Sequence, residues 1–190
     1  MPYSPRFDDA LVFASELHRE QTRKGSGIPY VNHLLGVAAI VGEAGGTEDQ
    51  VIAALLHDAV EDQGGLDTLE EIRARFGAAV ADMVMSCTDT VEDPKPAWRP
   101  RKEAYVAHVA TADEDALLVS IADKLYNTRT ILMALRTEGE SVWDRFTGKR
   151  DGSLWYYRAL VDAFRARGGR ADLVLELDRT VTSLEETVVE

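Results

Sequence analysis

Helical periodicity constrains this chain most, because apolar residues recur about every 3.6 positions along nearly its whole length. The segment 31–46, for example, is an almost continuous apolar stretch that ends in two glycines, a common helix stop signal. We find no alternating pattern typical of β-strands and no internal repeat. The sequence therefore predicts an all-α fold, a bundle of about eight or nine helices, in a single domain over residues 1–190.

Local signals predict where individual helices begin and end. Thr47 and Thr68 are each followed three residues later by a glutamine or a glutamate, a capping-box pattern that predicts a helix start. The first helix is predicted over 7–24, and the last over 170–190. Residues 89–101 contain three of the six prolines and are predicted to form an irregular loop.

Composition excludes several classes of protein. Acidic residues number 33 and basic residues 21, so the formal net charge is −12, which argues against a binder of nucleic acid polymers. The single cysteine excludes an intramolecular disulfide, and no apolar run approaches the roughly 20 residues of a membrane span. Because the first ten residues also lack the features of a signal peptide, we expect a cytoplasmic protein without membrane contact.

The segment HDAVED, from His57 to Asp62, is where the sequence points most directly to chemistry. The five residues before it are apolar, so its helix should enter the core and end in three carboxylates and an imidazole. Clustered carboxylates are costly to bury without a partner. A divalent cation resolves this conflict, because it offsets their repulsion and accepts both nitrogen and oxygen ligands. We therefore predict a metal site that includes His57 and Asp58.

Other helices must supply the remaining ligands, and two residues are good candidates. His33 lies at the polar start of an apolar helix, and Asp123 is a charge inside an otherwise apolar run. With His57 and Asp58 they make a set of two histidines and two carboxylates. If water fills the open positions, this set suits Mn²⁺, Fe²⁺ or Mg²⁺ better than a closed tetrahedral Zn²⁺ site.

Glu61 and Asp62 lie one turn further along the predicted helix and are candidates to take a proton from a water or to orient it. Each part of the pattern also has a purely structural interpretation. His33 could hydrogen-bond a carbonyl at the helix start, and Asp123 could pair with a neighbouring Lys or Arg. Glu61 and Asp62 could form the solvated end of their helix.

These motifs together resemble a known family. HREQTRKGSGIPYVNHLLGVA, AALLHDAVEDQ, TLEEIRARFGAAVADMVMSCTD and IADKLYNTRTIL occur in this order between about residues 7 and 135. They are similar to the HD-domain metal-dependent phosphohydrolases. The more detailed similarity is to the hydrolase domain of the Rel/SpoT alarmone enzymes, and especially to the stand-alone small alarmone hydrolases of the metazoan SpoT homologue type.

The resemblance implies a small-molecule nucleotide substrate and a cofactor. The expected reaction removes the 3′-pyrophosphate from (p)ppGpp, an alarmone of the stringent response, and the usual metal is Mn²⁺, with Mg²⁺, Fe²⁺ and Zn²⁺ as alternatives. The motifs carry over a set of residues: metal ligands His33, His57, Asp58 and Asp123, catalytic carboxylates Glu61 and Asp62, and substrate contacts Arg23, Lys24 and Asn127.

The region 136–190 matches the family less closely, and we expect its helices to complete the pocket. The candidates to close the pocket are Lys149, Arg150, Trp155, Tyr156 and Arg158. The two aromatic residues could equally be core residues at helical spacing.

Three alternatives to the expected function stay open. The turn GSGIPY differs from the RKSGEPY form of the long enzymes and borders the expected base pocket, so the substrate could be an adenine alarmone. Another phosphorylated nucleotide, such as NADPH, is a second alternative, and a non-catalytic alarmone sensor is a third. Both a monomer and a homo-oligomer are compatible with the sequence.

Overall fold

The structure, a computed structural model, describes residues 2–92 and 94–187. Within these residues it has nine α-helices of nine residues or more, a one-turn α-helix, a 3₁₀ helix and no β-strand, which confirms the predicted all-α fold. The elements in chain order are α1 (Pro5–Leu17), α2 (Val31–Glu43), α3 (Glu48–Leu56), α4 (Ala59–Asp62), α5 (Gly65–Phe76), α6 (Ala78–Cys87), α7 (Trp98–Val109), α8 (Glu114–Glu138), the 3₁₀ helix (Gly139–Arg145), α9 (Lys149–Arg167) and α10 (Ala171–Glu186).

Helix α8 lies at the centre of the bundle and packs against α2, α3, α6 and α10. Residues 116–123 of α8 are all buried, over more than two turns. A helix without a polar face over that length must be surrounded by other helices. None of the described helices, α8 included, combines the length and the apolar character needed to cross a membrane.

Helix α2 approaches α8 closely at Gly36. A Cβ atom at this position would lie 1.9 Å from the Tyr126 ring, so a larger residue would force either that ring or its helix to move. This contact brings the first turn of α2, which carries His33, next to the middle of α8, which carries Asp123.

Helix α3 is an almost entirely buried element that begins as predicted. The Thr47 hydroxyl accepts a hydrogen bond from the Gln50 amide, and the Gln50 side chain accepts one from the Thr47 amide, which completes the capping box. All residues from 50 to 56 are buried. Such a helix can lie only between others, here α1, α2, α6 and α8.

The helix predicted to start at Thr47 and to run through HDAVED is interrupted at His57 and Asp58. Asp58 has φ −97° and ψ −2°, outside the regular helical region, and the four-residue α4 follows it. At the interruption the His57 side chain is buried, and that of Asp58 is partly buried. The expectation that HDAVED lies on one regular helix was therefore wrong, although its residues stay close together.

Three other predicted boundaries were also wrong. Thr68 lies inside α5, where its hydroxyl donates to the Gln63 carbonyl, because Gly64 in the left-handed region starts this helix earlier. Helix α1 ends at Leu17 rather than continuing to residue 24. Helix α7 begins at Trp98, inside the predicted loop, since a proline in the first turn of a helix is tolerated.

The last predicted helix corresponds to α10, which ends at Glu186. Residues 188–190 of that prediction lie outside the described residues. The interpretation of 1–190 as one domain stays a prediction.

Candidate metal centre and active site

Four side chains from three parts of the fold converge beside the middle of α8. The Nε2 atoms of His33 and His57 are 3.2 Å apart. The Asp58 Oδ2 atom lies 3.3 Å from His33 Nε2 and 3.1 Å from His57 Nε2. The Asp123 Oδ1 atom lies 3.3 Å and 3.6 Å from the same two nitrogens. These are the four residues predicted as metal ligands, and the structure brings all of them together.

The donor atoms of this cluster fit a cation. His57 Nδ1 lies 2.8 Å from the Ala54 carbonyl, so it carries the proton and, in the neutral ring, leaves a lone pair on Nε2. That lone pair faces carboxylate oxygens, which only accept. Adjacent ligands of an octahedral ion lie about 2.9 Å apart, close to the observed separations. A divalent metal is therefore a suitable occupant of the space between these atoms.

The charges of the cluster show the same need for a cation. Burial alone would lower the pKa of His57, but Asp58 and Asp123 outweigh it and raise the pKa to about 10. Burial would raise the pKa of Asp58, yet the two histidines hold it well below its usual range. In the metal-free protein, a proton on His57 thus supplies the positive charge that a divalent metal provides when bound.

Both carboxylates are oriented by a further layer of contacts. The Tyr30 hydroxyl donates to Asp58 Oδ2 at 2.6 Å. Lys124 Nζ lies 2.5 Å from Asp123 Oδ2, and Asn127 Nδ2 donates to Asp123 Oδ1 at 2.5 Å. The structural alternative for Asp123, a pair with a neighbouring lysine, is thus present together with its contact to the histidines. Each carboxylate keeps one orientation because its outer contacts hold it.

A tight loop between α1 and α2 holds the predicted substrate contact Arg23. The loop is closed by hydrogen bonds from the Arg23 amide to the Ile28 carbonyl and from the Tyr30 amide to the Gln21 carbonyl. Arg23 Nη2 donates to Asn127 Oδ1 at 2.7 Å, so both residues border the metal cluster through Asp123. Lys24 is exposed on the same loop.

Glu61 and Asp62, the predicted catalytic carboxylates, lie on α4 and are partly exposed. Lys95 Nζ contacts both of them, at 2.9 Å from Glu61 and 3.3 Å from Asp62. Arg101 is 3.7 Å from Glu61, and Gln21 donates to Asp62 at 2.8 Å. The pair therefore follows His57 and Asp58 closely in the chain and contacts a basic segment that precedes and opens α7.

Several contributors to this site were not predicted from the sequence. Tyr30 lies inside the PYxxH motif, but a tyrosine in a motif carries no signal of where its hydroxyl points. Lys95 lies in the predicted loop, and its position depends on how that loop folds over α4. His18, the residue that follows α1, is also buried.

The C-terminal candidates are mostly engaged in packing. Arg158 contacts Asp178 and Glu185, and so joins α9 to α10. Tyr156 is buried, and Trp155 lies under the Arg99 guanidinium at 3.3 Å. These contacts favour the structural interpretation for Arg158 and Tyr156, while the role of this region in completing the pocket stays a prediction.

Comparison with known proteins agrees with this geometry. Residues 10–154 match the family model of the HD domain. The guanosine-3′,5′-bis(diphosphate) 3′-pyrophosphohydrolases MESH1 of Xenopus tropicalis and Danio rerio are 43% and 47% identical over 126 residues, 65% of this chain and 68% and 67% of theirs. A solved structure described as a metazoan ortholog of SpoT that hydrolyzes ppGpp aligns with a TM-score of 0.80 and 32% identity, covering 96% of this chain and 97% of that one.

The matched region contains all four clustered residues, both α4 carboxylates and the loop that holds Arg23. Sequence and structure therefore lead to the same assignment: this chain belongs to the HD domain family and, within it, to the group of the MESH1 proteins.

Proposed function

We propose that this protein is a metal-dependent hydrolase that removes the 3′-pyrophosphate of (p)ppGpp, giving GDP or GTP and pyrophosphate. The observation that carries the proposal is the cluster of two histidines and two carboxylates, whose facing lone pairs need a cation. The names of the MESH1 relatives and of the SpoT ortholog support this choice of substrate.

In this proposal His33, His57, Asp58 and Asp123 hold the metal. A divalent ion at this place supplies Lewis acidity toward water and toward phosphoryl oxygens. The four side chains bring two negative charges and two neutral imidazoles, so the bound ion forms a site without net charge. We propose Mn²⁺ as the native ion, since two imidazoles and two carboxylates with open positions suit it.

Glu61 and Asp62 are proposed to handle the proton of the attacking water. Their partial exposure lets water reach them, and their position next to Asp58 in the chain keeps them beside the metal cluster. The water oxygen attacks phosphorus, the bond to the ribose 3′ oxygen breaks, and that oxygen takes up a proton. Carboxylates on a short helix next to the metal site can serve both proton transfers.

Arg23, Lys24 and Asn127 are proposed to contact the nucleotide. Asn127 holds the Arg23 guanidinium in place, so this donor is already oriented before substrate binds. The exposed Lys24 adds charge at the entrance without a fixed geometry. A basic loop of this kind meets the phosphates of a substrate that a protein of net charge −12 would otherwise repel.

The deciding experiment uses metal-stripped protein with ppGpp and, separately, pppApp, with and without Mn²⁺, and resolves the products by anion exchange. We expect Mn²⁺-dependent release of GDP and intact pyrophosphate from ppGpp. Faster turnover of pppApp would reassign the base preference to adenine, and turnover of NADPH alone, measured in a parallel assay, would reassign the substrate.

A matched inactive variant completes the design. Asp58→Asn keeps the size of the side chain but removes a charged ligand, and we expect it to abolish turnover. Tight binding of ppGpp by the wild-type protein without any turnover in Mn²⁺ would overturn the proposal and favour a sensor. Through this reaction we place the protein in the cytoplasm, in control of the stringent response.

A further inference from the structure

His18 is a buried histidine beside the active site whose hydrogen bonding the proposed reaction does not explain. Only 2% of its surface is exposed, and its ring stacks on Tyr30 with centroids 5.3 Å apart. Its Nδ1 atom lies 2.6 Å from Gln21 Oε1, while Nε2 is buried without a hydrogen-bond partner among the described residues. An apolar side chain would fill this space without leaving an acceptor unpaired.

The tautomer of His18 follows from the groups around Gln21. Asp62 is an acceptor only, so the Gln21 amide must direct Nε2 to it, as the 2.8 Å contact shows. Oε1 of Gln21 then faces His18 and also accepts a hydrogen bond from Gln63 Nε2 at 2.6 Å. Hence His18 carries its proton on Nδ1 and donates. Burial lowers the pKa of His18 and favours this neutral form.

Gln21 is thereby held from two sides. Donors on His18 and Gln63 occupy the same carbonyl oxygen, so a rotation of the amide by 180° would set its NH₂ group against two N–H donors. The amide is left with one orientation, in which it donates to Asp62. The other contact to Asp62 comes from Lys95, whose side chain is 42% exposed. The fixed contact to this carboxylate is thus the one from Gln21.

We propose that His18 is a positioning residue that acts through Gln21 to hold the Asp62 carboxylate in its catalytic orientation. The inference rests on the proposed function, because it needs Asp62 to handle the proton of the attacking water. It explains why a histidine, with one nitrogen unpaired, occupies a position where an apolar residue would pack.

Three variants test this chain of contacts. Gln21→Met removes the donor to Asp62 and keeps the length of the side chain, and we expect kcat to fall by about 10- to 100-fold with KM changed less than about twofold. His18→Phe keeps the ring stacked on Tyr30 but loses Nδ1–H, and should lower kcat by about tenfold. His18→Asn loses the ring but keeps an N–H donor near the Nδ1 position, and should restore kcat to within about threefold of wild type.

Glu20→Gln, on the exposed surface of the same turn, is the matched control and should leave kcat unchanged. Mn²⁺ affinity, measured by calorimetry, should stay within about twofold of wild type in all variants, since none of them removes a ligand. Equal kcat for Gln21→Met and wild type, or equal losses in His18→Phe and His18→Asn, would overturn the inference. A wild-type protein that does not hydrolyse ppGpp would instead defeat the proposed function, and the inference with it.

Discussion

Two pairs of residues, four positions apart in one hexapeptide, differ in their partners more than in the exposure of their carboxylates. His57 and Asp58 lie in the interruption between α3 and α4, with the His57 ring buried and the Asp58 side chain 20% exposed. Glu61 and Asp62 lie on α4, with side chains 19% and 25% exposed, and their cationic partner Lys95 is 42% exposed. The first pair contacts the other residues of the metal cluster, and the second contacts Lys95 together with Gln21 and Arg101.

The difference follows from what each pair is proposed to do. A metal ligand must hold its position before the ion arrives, and partners such as the partly buried Tyr30 and the buried Ala54 provide that rigidity. A group that exchanges protons with water must be reachable, so an exposed, movable partner such as Lys95 suits it, while Gln21 fixes the orientation of Asp62. The fold thus builds a rigid half and an accessible half of one site within six residues.

The largest expected effect on activity comes from a substitution in the rigid half, at Asp58. Asp58→Asn removes one of the two negative charges that the cluster offers a cation. Because the ion supplies several kcal/mol of transition-state stabilisation, we expect kcat/KM to fall by at least about a thousandfold. Mn²⁺ titration by calorimetry should show a parallel loss of affinity. Retained affinity with lost activity would assign Asp58 to catalysis instead of metal binding.

Two lysine variants, one in each half, allow the contributions of the two halves to the unfolding free energy to be compared. Lys124 and Asp123 are 12% and 8% exposed, so Lys124→Met leaves a buried carboxylate without its cation. We expect the metal-free protein to lose about 3–5 kcal/mol of unfolding free energy. Lys95→Met breaks an exposed pair and should cost less than about 1 kcal/mol. Urea unfolding of both metal-free variants gives the two values.

Added Mn²⁺ serves as a control in that experiment. It should recover part of the Lys124→Met loss, because the ion neutralises Asp123 from its other oxygen. The loss of unfolding free energy that Lys95→Met causes relative to wild type should be the same with and without Mn²⁺. Equal losses in the two lysine variants would contradict the distinction between a rigid and an accessible half.

Much of the fold could be predicted from the sequence, since helical periodicity and capping patterns are local signals. The Thr47 capping box and the apolar run of α3 were sufficient to place that helix. The interruption at His57 was not predictable in the same way, because HDAVED is compatible with a continuous helix. Contacts with other elements, such as the Tyr30 hydroxyl on Asp58, accompany the interruption in the folded protein.

The site shows the same limit. His33, His57, Asp58 and Asp123 could be grouped because each is a polar residue in an apolar segment, which is a one-dimensional signal. The burial of His18 and the approach of Lys95 to α4 depend on where a helix ends and how a loop crosses it. These features depend on the three-dimensional fold, so the pattern of residue types along the chain does not predict them.

The accessible half is tested by Asp62→Asn. The amide keeps the size of the side chain but cannot accept a proton, so we expect kcat to fall by about 100-fold or more, within the usual range for general acid–base groups. Mn²⁺ affinity should stay within about threefold of wild type, because Asp62 is not a ligand in this assignment. Asp67→Asn, an exposed change in α5, is the control. A large loss of Mn²⁺ affinity in Asp62→Asn would mean that Asp62 is itself a metal ligand and that the two halves do not have separate roles.

The smallest expected effect comes from Tyr30→Phe, which loosens one ligand without removing it. The hydroxyl donates to Asp58 Oδ2 at 2.6 Å, and burial next to that carboxylate raises the pKa of Tyr30, so the proton stays on the oxygen. Loss of an outer contact of this kind weakens metal binding by about tenfold or somewhat more. Tyr126→Phe is the matched control, since its hydroxyl donates to the Asn32 carbonyl rather than to a ligand. Calorimetry should then give a weaker Mn²⁺ affinity only for Tyr30→Phe. Equal affinities in the two variants would mean that Asp58 is held by the interruption after α3 alone, and that the rigidity of this half comes from the backbone.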